Sequence, residues 1–305
     1  MDALSPADLA AVRARLDQSG RPMERALVAY RLDRGSVADV LETLTGFQND
    51  DGGFGHGLEP DLKSPSSSPF QTSVAFQIFR ELGTSASHPM VSRGLAYLQD
   101  TYDVSTRSWP VTPADVERHP HAPWWVEAAA TPSIDNLNPR AELLGVLLEY
   151  RDARFGDWVD SVEDAVRDCL ARTAELEMHE VLCVLRLAET PRLSTEWMPE
   201  LAGQLVPAAE ACVGTERAAW EGYGLRPIDV APRPGGLLSS EFGEVAGMYC
   251  DYLVATVSED GVWSPTWSWS EQYPEAWEHA RQEWIGIIIA RHLQVLSAYD
   301  RLPHQ

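Results

Sequence analysis

Lysine is almost missing from this chain: Lys63 is the only one among 24 basic residues, which face 46 acidic ones for a formal charge of -22. A balance this one-sided argues against electrostatic binding to nucleic acid or to anionic membrane surfaces, both of which need clustered cations. Cysteine is scarce as well. Cys169, Cys183, Cys212 and Cys250 stand far apart with no CxxC pair, so neither a disulfide framework nor a cysteine-rich zinc site is expected, and a reducing cytoplasm fits. Long apolar runs are absent too: the most apolar stretch, residues 284–290, falls far short of the roughly 20 residues that cross a bilayer. The first 16 residues carry Asp2, Asp8, Arg13 and Arg15 and no continuous apolar stretch, which does not read as an export signal.

What is present is helical periodicity. Apolar residues recur at helical spacing near 6–17, 22–33, 36–47, 70–82, 89–100, 138–151, 157–174, 178–188, 197–213, 241–257 and 276–298, and no alternating strand pattern competes. Ser5-Pro6 before Asp8, and Asn138-Pro139 before Ala141, are first-turn signals with proline at the first helical position. The fold class expected is all-α. With 305 residues and 44% apolar composition the chain can bury a large core, as one helical domain or two small ones. The organisation expected is one domain over 1–305, residues 1–20 being a peripheral helix. Residues 214–240, broken by Arg226-Pro227, Ala231-Pro232, Arg233-Pro234 and Gly235-Gly236, read as a long loop or lid.

One stretch stands out: Gln48-Asn49-Asp50-Asp51-Gly52-Gly53-Phe54-Gly55 follows the helical run Val37, Val40, Leu41, Leu44, Phe47. The glycines permit left-handed angles that stop a helix, the Gln can bond unpaired backbone groups, and the aromatic ring covers the turn. Degenerate copies recur: Asp260-Gly261-Val262-Trp263 most clearly, then Leu98-Gln99 with Trp109, and Trp220-Glu221-Gly222-Tyr223-Gly224. Recurrence of this kind marks a repeat of helical hairpins.

The spacing from Gln48 to Phe54, with Phe replacing the usual Trp, resembles the QxxxGxW repeat of squalene and oxidosqualene cyclases and of protein prenyltransferase β subunits. The resemblance implies a single α/α toroid with inner and outer helix rings, covering about residues 20–300. The family's chemistry does not carry over. The cyclases' DxDD, the prenyltransferases' DxC and the class I terpene synthases' DDxxD have no counterpart here, so no metal and no cofactor is expected.

Two segments sit where such a ring would gather polar groups. The first, after the repeat turn, holds His56, Glu59, Asp61 and Lys63, an assortment able to move protons or pair with an anion; it reads equally as a solvated loop capping the next helix. The second runs from Trp124 and Trp125 to Asp135 and Asn136. By analogy Asp135 stands where the similar cyclases place their acid, and beside amides it could hold a proton; it reads equally as a helix cap. Of the aromatics crowded into residues 220–284, Trp267 and Trp269 lie in a Ser- and Pro-rich loop and are the least core-like. Core packing is the commonest fate of such rings. The functional expectation is an enzyme resembling a terpenoid cyclase (lyase or isomerase) that closes or isomerises an isoprenoid or other apolar small molecule by protonation. Its proton donor is Asp135, with His56, Glu59 and Asp61 assisting and with Lys63, Trp124, Trp125, Asn136, Trp267 and Trp269 binding substrate. A carbohydrate-active barrel using a carboxylate pair such as Glu59 and Asp61, or a non-catalytic ligand-binding toroid, stays open beside it.

Overall fold

The computed structural model describes residues 3–130, 136–151 and 156–303, and among these it contains thirteen α-helices and no β-strand. They are α1 (Pro6–Ser19), α2 (Pro22–Leu32), α3 (Val37–Thr45), α4 (Pro69–Glu81), α5 (Pro89–Asp100), α6 (Pro123–Ala130), α7 (Arg140–Glu149), α8 (Gly156–Arg172), α9 (Met178–Ala188), α10 (Met198–Cys212), α11 (Pro227–Val230), α12 (Ser239–Thr256) and α13 (Pro274–Ala298). Helix starts follow their caps. Ser5 Oγ accepts from Asp8 N at 3.1 Å and Ser68 Oγ from Gln71 N at 3.1 Å, each with proline at the first helical position, an arrangement worth about 1 kcal/mol per cap. Glu177 and Glu180 close a reciprocal capping box on α9.

Internal contacts gather in two compact units, one of Thr45–Cys212 and the other of the residues up to Leu44 together with those from Val213 on. In the Thr45–Cys212 unit α7 is the buried centre: every residue from Arg140 to Leu148 is buried, and the helix packs on α4, α8 and α9. Such a helix carries no amphipathic stripe because all its faces are core. In the other unit α13 packs against α1 and α2, and α12 against α11 and α13. Gly286 allows α13 to approach the α1–α2 connection, where an added Cβ would lie 2.9 Å from Gly20 Cα. Residues 214–240 contain a 3-10 turn at Arg217–Trp220 and the short α11.

Of the copies seen in the sequence, those at 49–54 and 258–263 share one backbone geometry, and the one at 103–109 closes with a longer turn. At the first turn Asn49 N bonds Gly53 O (2.9 Å) and Gly52 N bonds Asn49 O (3.0 Å), with Gly52 at φ 92° and Phe54 following. At 258–263, Ser258 N bonds Val262 O (3.3 Å) and Gly261 N bonds Ser258 O (2.9 Å), with Gly261 at φ 70° and Trp263 following. Between them Asp103 and Ser108 exchange bonds of 2.8 and 3.2 Å, with Arg107 at φ 52° and Trp109 following. The two tryptophans also anchor alike: Trp109 Nε1 donates to Leu98 O (2.7 Å) and Trp263 Nε1 to Leu253 O (3.1 Å), back into the helix each turn has just left. Phe54, wholly buried, covers its turn by burial alone, edge-on to Phe79 at 5.9 Å. Residues 220–224 are a different turn, for Trp220 itself sits in the 3-10 segment and its indole donates to Gly214 O, in the chain just before that segment and outside any helix.

Gln48 holds the first turn as its spacing suggested. Its Nε2 donates to Gly52 O and to Met90 O, both at 2.9 Å, and its Oε1 accepts from Arg93. The turn is thereby tied to the first residues of α5.

Candidate functional site

After the first turn the chain crosses from residue 55 to the start of α4 in a loop with few backbone bonds of its own, so side chains fix it. Asn49 Nδ2 donates to Pro65 O (3.0 Å) and Ser67 Oγ (2.9 Å), and Ser67 Oγ donates to Asp51 Oδ1 (2.8 Å). Residues 61–63 run beside 120–122: Ala122 N bonds Asp61 O (2.9 Å) and Lys63 N bonds Pro120 O (3.0 Å). This brings Asp115 onto the serine run. Ser64 Oγ donates to Asp115 Oδ1 (2.8 Å), Ser66 Oγ to Oδ2 (2.9 Å), and His119 Nε2 stands 3.2 Å from Oδ2.

Partial burial works against the charge of Asp115, yet the two serine hydroxyls and His119 outweigh it, and the carboxyl titrates below the usual aspartate range. It is a held anion. The order serine, aspartate, histidine puts the carboxylate in the middle, so the imidazole does not touch either hydroxyl and neither serine gains a base.

Asp115 lines a cleft of about 960 Å³ together with Ser67, Tyr97, Thr101, Asp103 and Arg118. Asp103 is likewise held ionised, first by the Ser105 hydroxyl and then by its backbone N–H. Burial and Asp51 push the Tyr97 phenol upward, so it stays protonated and able to donate. The wall is thus a mixture of anions, hydroxyls and small apolar faces, suited to a polar molecule with donors of its own.

Of the residues singled out from sequence, His56 is exposed at φ 57° and its Nε2 is 2.7 Å from Asn49 Oδ1. Glu59 is half-buried, with its backbone N–H on Gln71 Oε1 (3.3 Å), Asp61 is buried, and Lys63 is half-buried. Trp125 is buried edge-on against Phe70 at 4.7 Å, whereas Trp124 is 40% exposed. Asn136 Oδ1 accepts from Asn138 N at 2.7 Å, a local turn bond. Asp135 lies outside the described residues. Trp267 and Trp269 belong to the other compact unit. There Trp269 is buried against Trp277 at 5.6 Å, and Trp267 is half-buried, 4.9 Å from Trp284. Most of the late aromatics are core, as Trp220 with Tyr249 (5.0 Å) illustrates.

Sequence reasoning passed over Ser64, Ser66, Asp115 and His119. The one local signal was Ser64-Pro65-Ser66-Ser67-Ser68, a run of hydroxyls between two helical patterns with no helix face to occupy. It also passed over a second, buried group where α7 meets α9. Arg186 Nη1 donates to Glu142 Oε2 at 2.8 Å, while Cys183 Sγ lies 3.9 Å from the same oxygen and 3.5 Å from Asn138 Oδ1. Glu142 Oε1 is buried and has no hydrogen-bond partner. Burial, then Glu142, push the Cys183 thiol well above its ordinary range, so it is an uncharged donor.

Among the described residues no three His, Cys, Asp or Glu side chains are grouped to hold a metal ion, and no helix is long and apolar enough to cross a membrane. Comparison with protein-family models, with curated proteins and with solved structures gives no match to this chain.

Proposed function

We propose that this chain is a toroid-type assembly of helical hairpins that binds a small, hydroxyl-rich polar molecule in the cleft beside Asp115. The turns at 49–54 and 258–263, bonded alike through the backbone, and the matching indole anchors of Trp109 and Trp263 support the hairpin repeat. The observation that carries the binding reading is Asp115 itself, a carboxylate kept ionised by Ser64, Ser66 and His119 on the wall of a roughly 960 Å³ cleft. An anion held this way accepts hydrogen bonds from ligand hydroxyls and has no proton to give at neutral pH. Both Asp115 and Asp103 favour recognition over acid catalysis on this account. Thermal-shift and calorimetric titration against neutral mono- and oligosaccharides tests the reading. Saturable binding that Asp115→Asn weakens at least tenfold is the expected result, and binding unaffected by that substitution refutes it.

A proton-initiated, terpenoid-cyclase-like reaction is the second reading. One observation favours it: the buried, unpartnered Glu142 Oε1 lies within the first turn of α7, a few residues past Asp135. Product analysis after incubation with prenyl diphosphates and polyprenes, in the native chain and in Asp135→Asn and Glu142→Gln, decides it; unchanged substrate across that panel removes it.

A further inference from the structure

Residues 219–226 form a loop fixed by one side chain. The Arg226 guanidinium donates to Ala219 O (3.1 Å) and Gly224 O (3.2 Å) and also to Gly222 O, while Trp220 at the loop's base is buried against Tyr249 and Tyr252 (5.0 and 5.3 Å). The residue raised at the tip is Tyr223, 59% exposed. An exposed aromatic normally gains by turning inward, yet this one is displayed on a loop that is clamped on both sides of it. It does not stand alone. Its ring meets Trp267 at 5.9 Å and 70°, and Trp267 in turn meets the half-buried Trp284 at 4.9 Å and 82°. The outcome is a stepped aromatic surface held in place before any ligand arrives.

Charge selects what such a surface can take. Flat anionic ligands such as nucleotides are disfavoured by the net charge of -22 and by the exposed Glu221 beside the loop. Beside Tyr223 itself the charge is mixed, with the Arg226 guanidinium gripping the carbonyls on either side of the ring and Glu221 exposed next to it, so no single-sign site is built there for a cation. A neutral ligand with an apolar face and a hydroxylated rim remains. Thr266, Ser268 and Gln272, all exposed on the loop that carries Trp267, supply hydroxyl and amide groups for that rim. We infer that Tyr223, Trp267 and Trp284 form a stacking site for the pyranose rings of a neutral saccharide, separate from the cleft beside Asp115.

The test is titration of the full-length chain with cello-, xylo-, malto- and chito-oligosaccharides, reading intrinsic tryptophan fluorescence, with tetramethylammonium and a nucleoside monophosphate as parallel arms. Saturable quenching by at least one neutral oligosaccharide is expected, weakened roughly tenfold in Tyr223→Ala, a surface substitution, and less in Tyr223→Trp. Saccharide binding that Tyr223→Ala leaves unchanged assigns the ligand elsewhere and overturns the site. Saturation by tetramethylammonium or the nucleotide alone, or by nothing in the panel, overturns it as well. Asp115→Asn is expected to keep this signal while weakening binding in the cleft, so the two sites fail independently.

Discussion

Gly52→Ala should cost several times as much stability as Gly83→Ala, although both replace a glycine in left-handed backbone. Gly52 has φ 92° and Gly83 φ 62°, so each substitution incurs the penalty of placing a Cβ in that region, about 1–2 kcal/mol. Gly83, at the end of α4, has nothing within 4 Å of the position a Cβ would take. For Gly52 that position is 2.5 Å from Arg93 O and 2.8 Å from Arg93 C. Those atoms are backbone of α5 and cannot rotate away. Overpacking against a fixed neighbour adds about 1–3 kcal/mol, and moving the turn also strains the Gln48 bonds to Gly52 O and Met90 O. The expected losses are therefore about 1 kcal/mol for Gly83→Ala and about 3 kcal/mol for Gly52→Ala. Urea unfolding followed by circular dichroism measures both, and an unchanged m-value confirms that the native state is what changed. Both sites lie in the Thr45–Cys212 unit, so they report on the same cooperative block. Losses within about 0.5 kcal/mol of each other would refute the reasoning, because the close approach to α5 would then carry no weight.

Trp263→Phe should destabilise by about 2 kcal/mol, since the buried indole is trimmed to a smaller ring that leaves a cavity, and the Leu253 carbonyl loses the indole donor while keeping Val257 N. A thermal melt showing no change would mean that neither the lost volume nor the indole bond contributes to holding this turn. His292, whose Nδ1 is shut off from solvent and unpartnered, is pushed down to about 3 by burial, with Arg291 and Arg226 adding to the effect. The unfolded chain therefore takes up this proton first as pH falls below about 6.5, so the folded state is at full stability above that pH and weakens toward pH 3. By pH 5 the loss reaches at most about 2 kcal/mol, and His292→Gln should shrink the difference between pH 7 and pH 5 by that amount. An identical pH difference in the two proteins would count against a buried neutral imidazole.

The helices were readable because their signals are local. Ser5-Pro6 marks the start of α1, and the observed Met178–Ala188 and Pro89–Asp100 coincide with the apolar periodicity read from the sequence. Where signals fail, the elements are short or proline-bound: α6 is only eight residues, broken by Glu127 and too short to show a period, and α11 spans four residues between prolines. The repeat turn was readable at Gly261-Val262-Trp263 because glycine and tryptophan both declare themselves. At 103–109 Arg107 takes the left-handed position with no compositional flag. The Asp115 group was hidden for a different reason. Its serines come from a loop 49 and 51 residues earlier in the chain, and no local pattern encodes a pairing that the 61–63 and 120–122 contact alone brings about.

The packing of α13 on α1 and α2 has a consequence for synthesis. Ribosomes release the chain from its N-terminus, so the apolar faces of α1 and α2, with Val12, Leu16, Leu27 and Val28, emerge long before Ile285, Ile289 and Leu293 on α13 exist to cover them. Residues 45–212 have all their internal partners by the time Cys212 has left the exit tunnel. Nascent chains arrested after residue 240 should accordingly resist protease across 45–212 while remaining cleavable within the first forty residues. Temporary shielding of that leading segment, by a chaperone or by the ribosome surface, becomes part of how this protein reaches its native state.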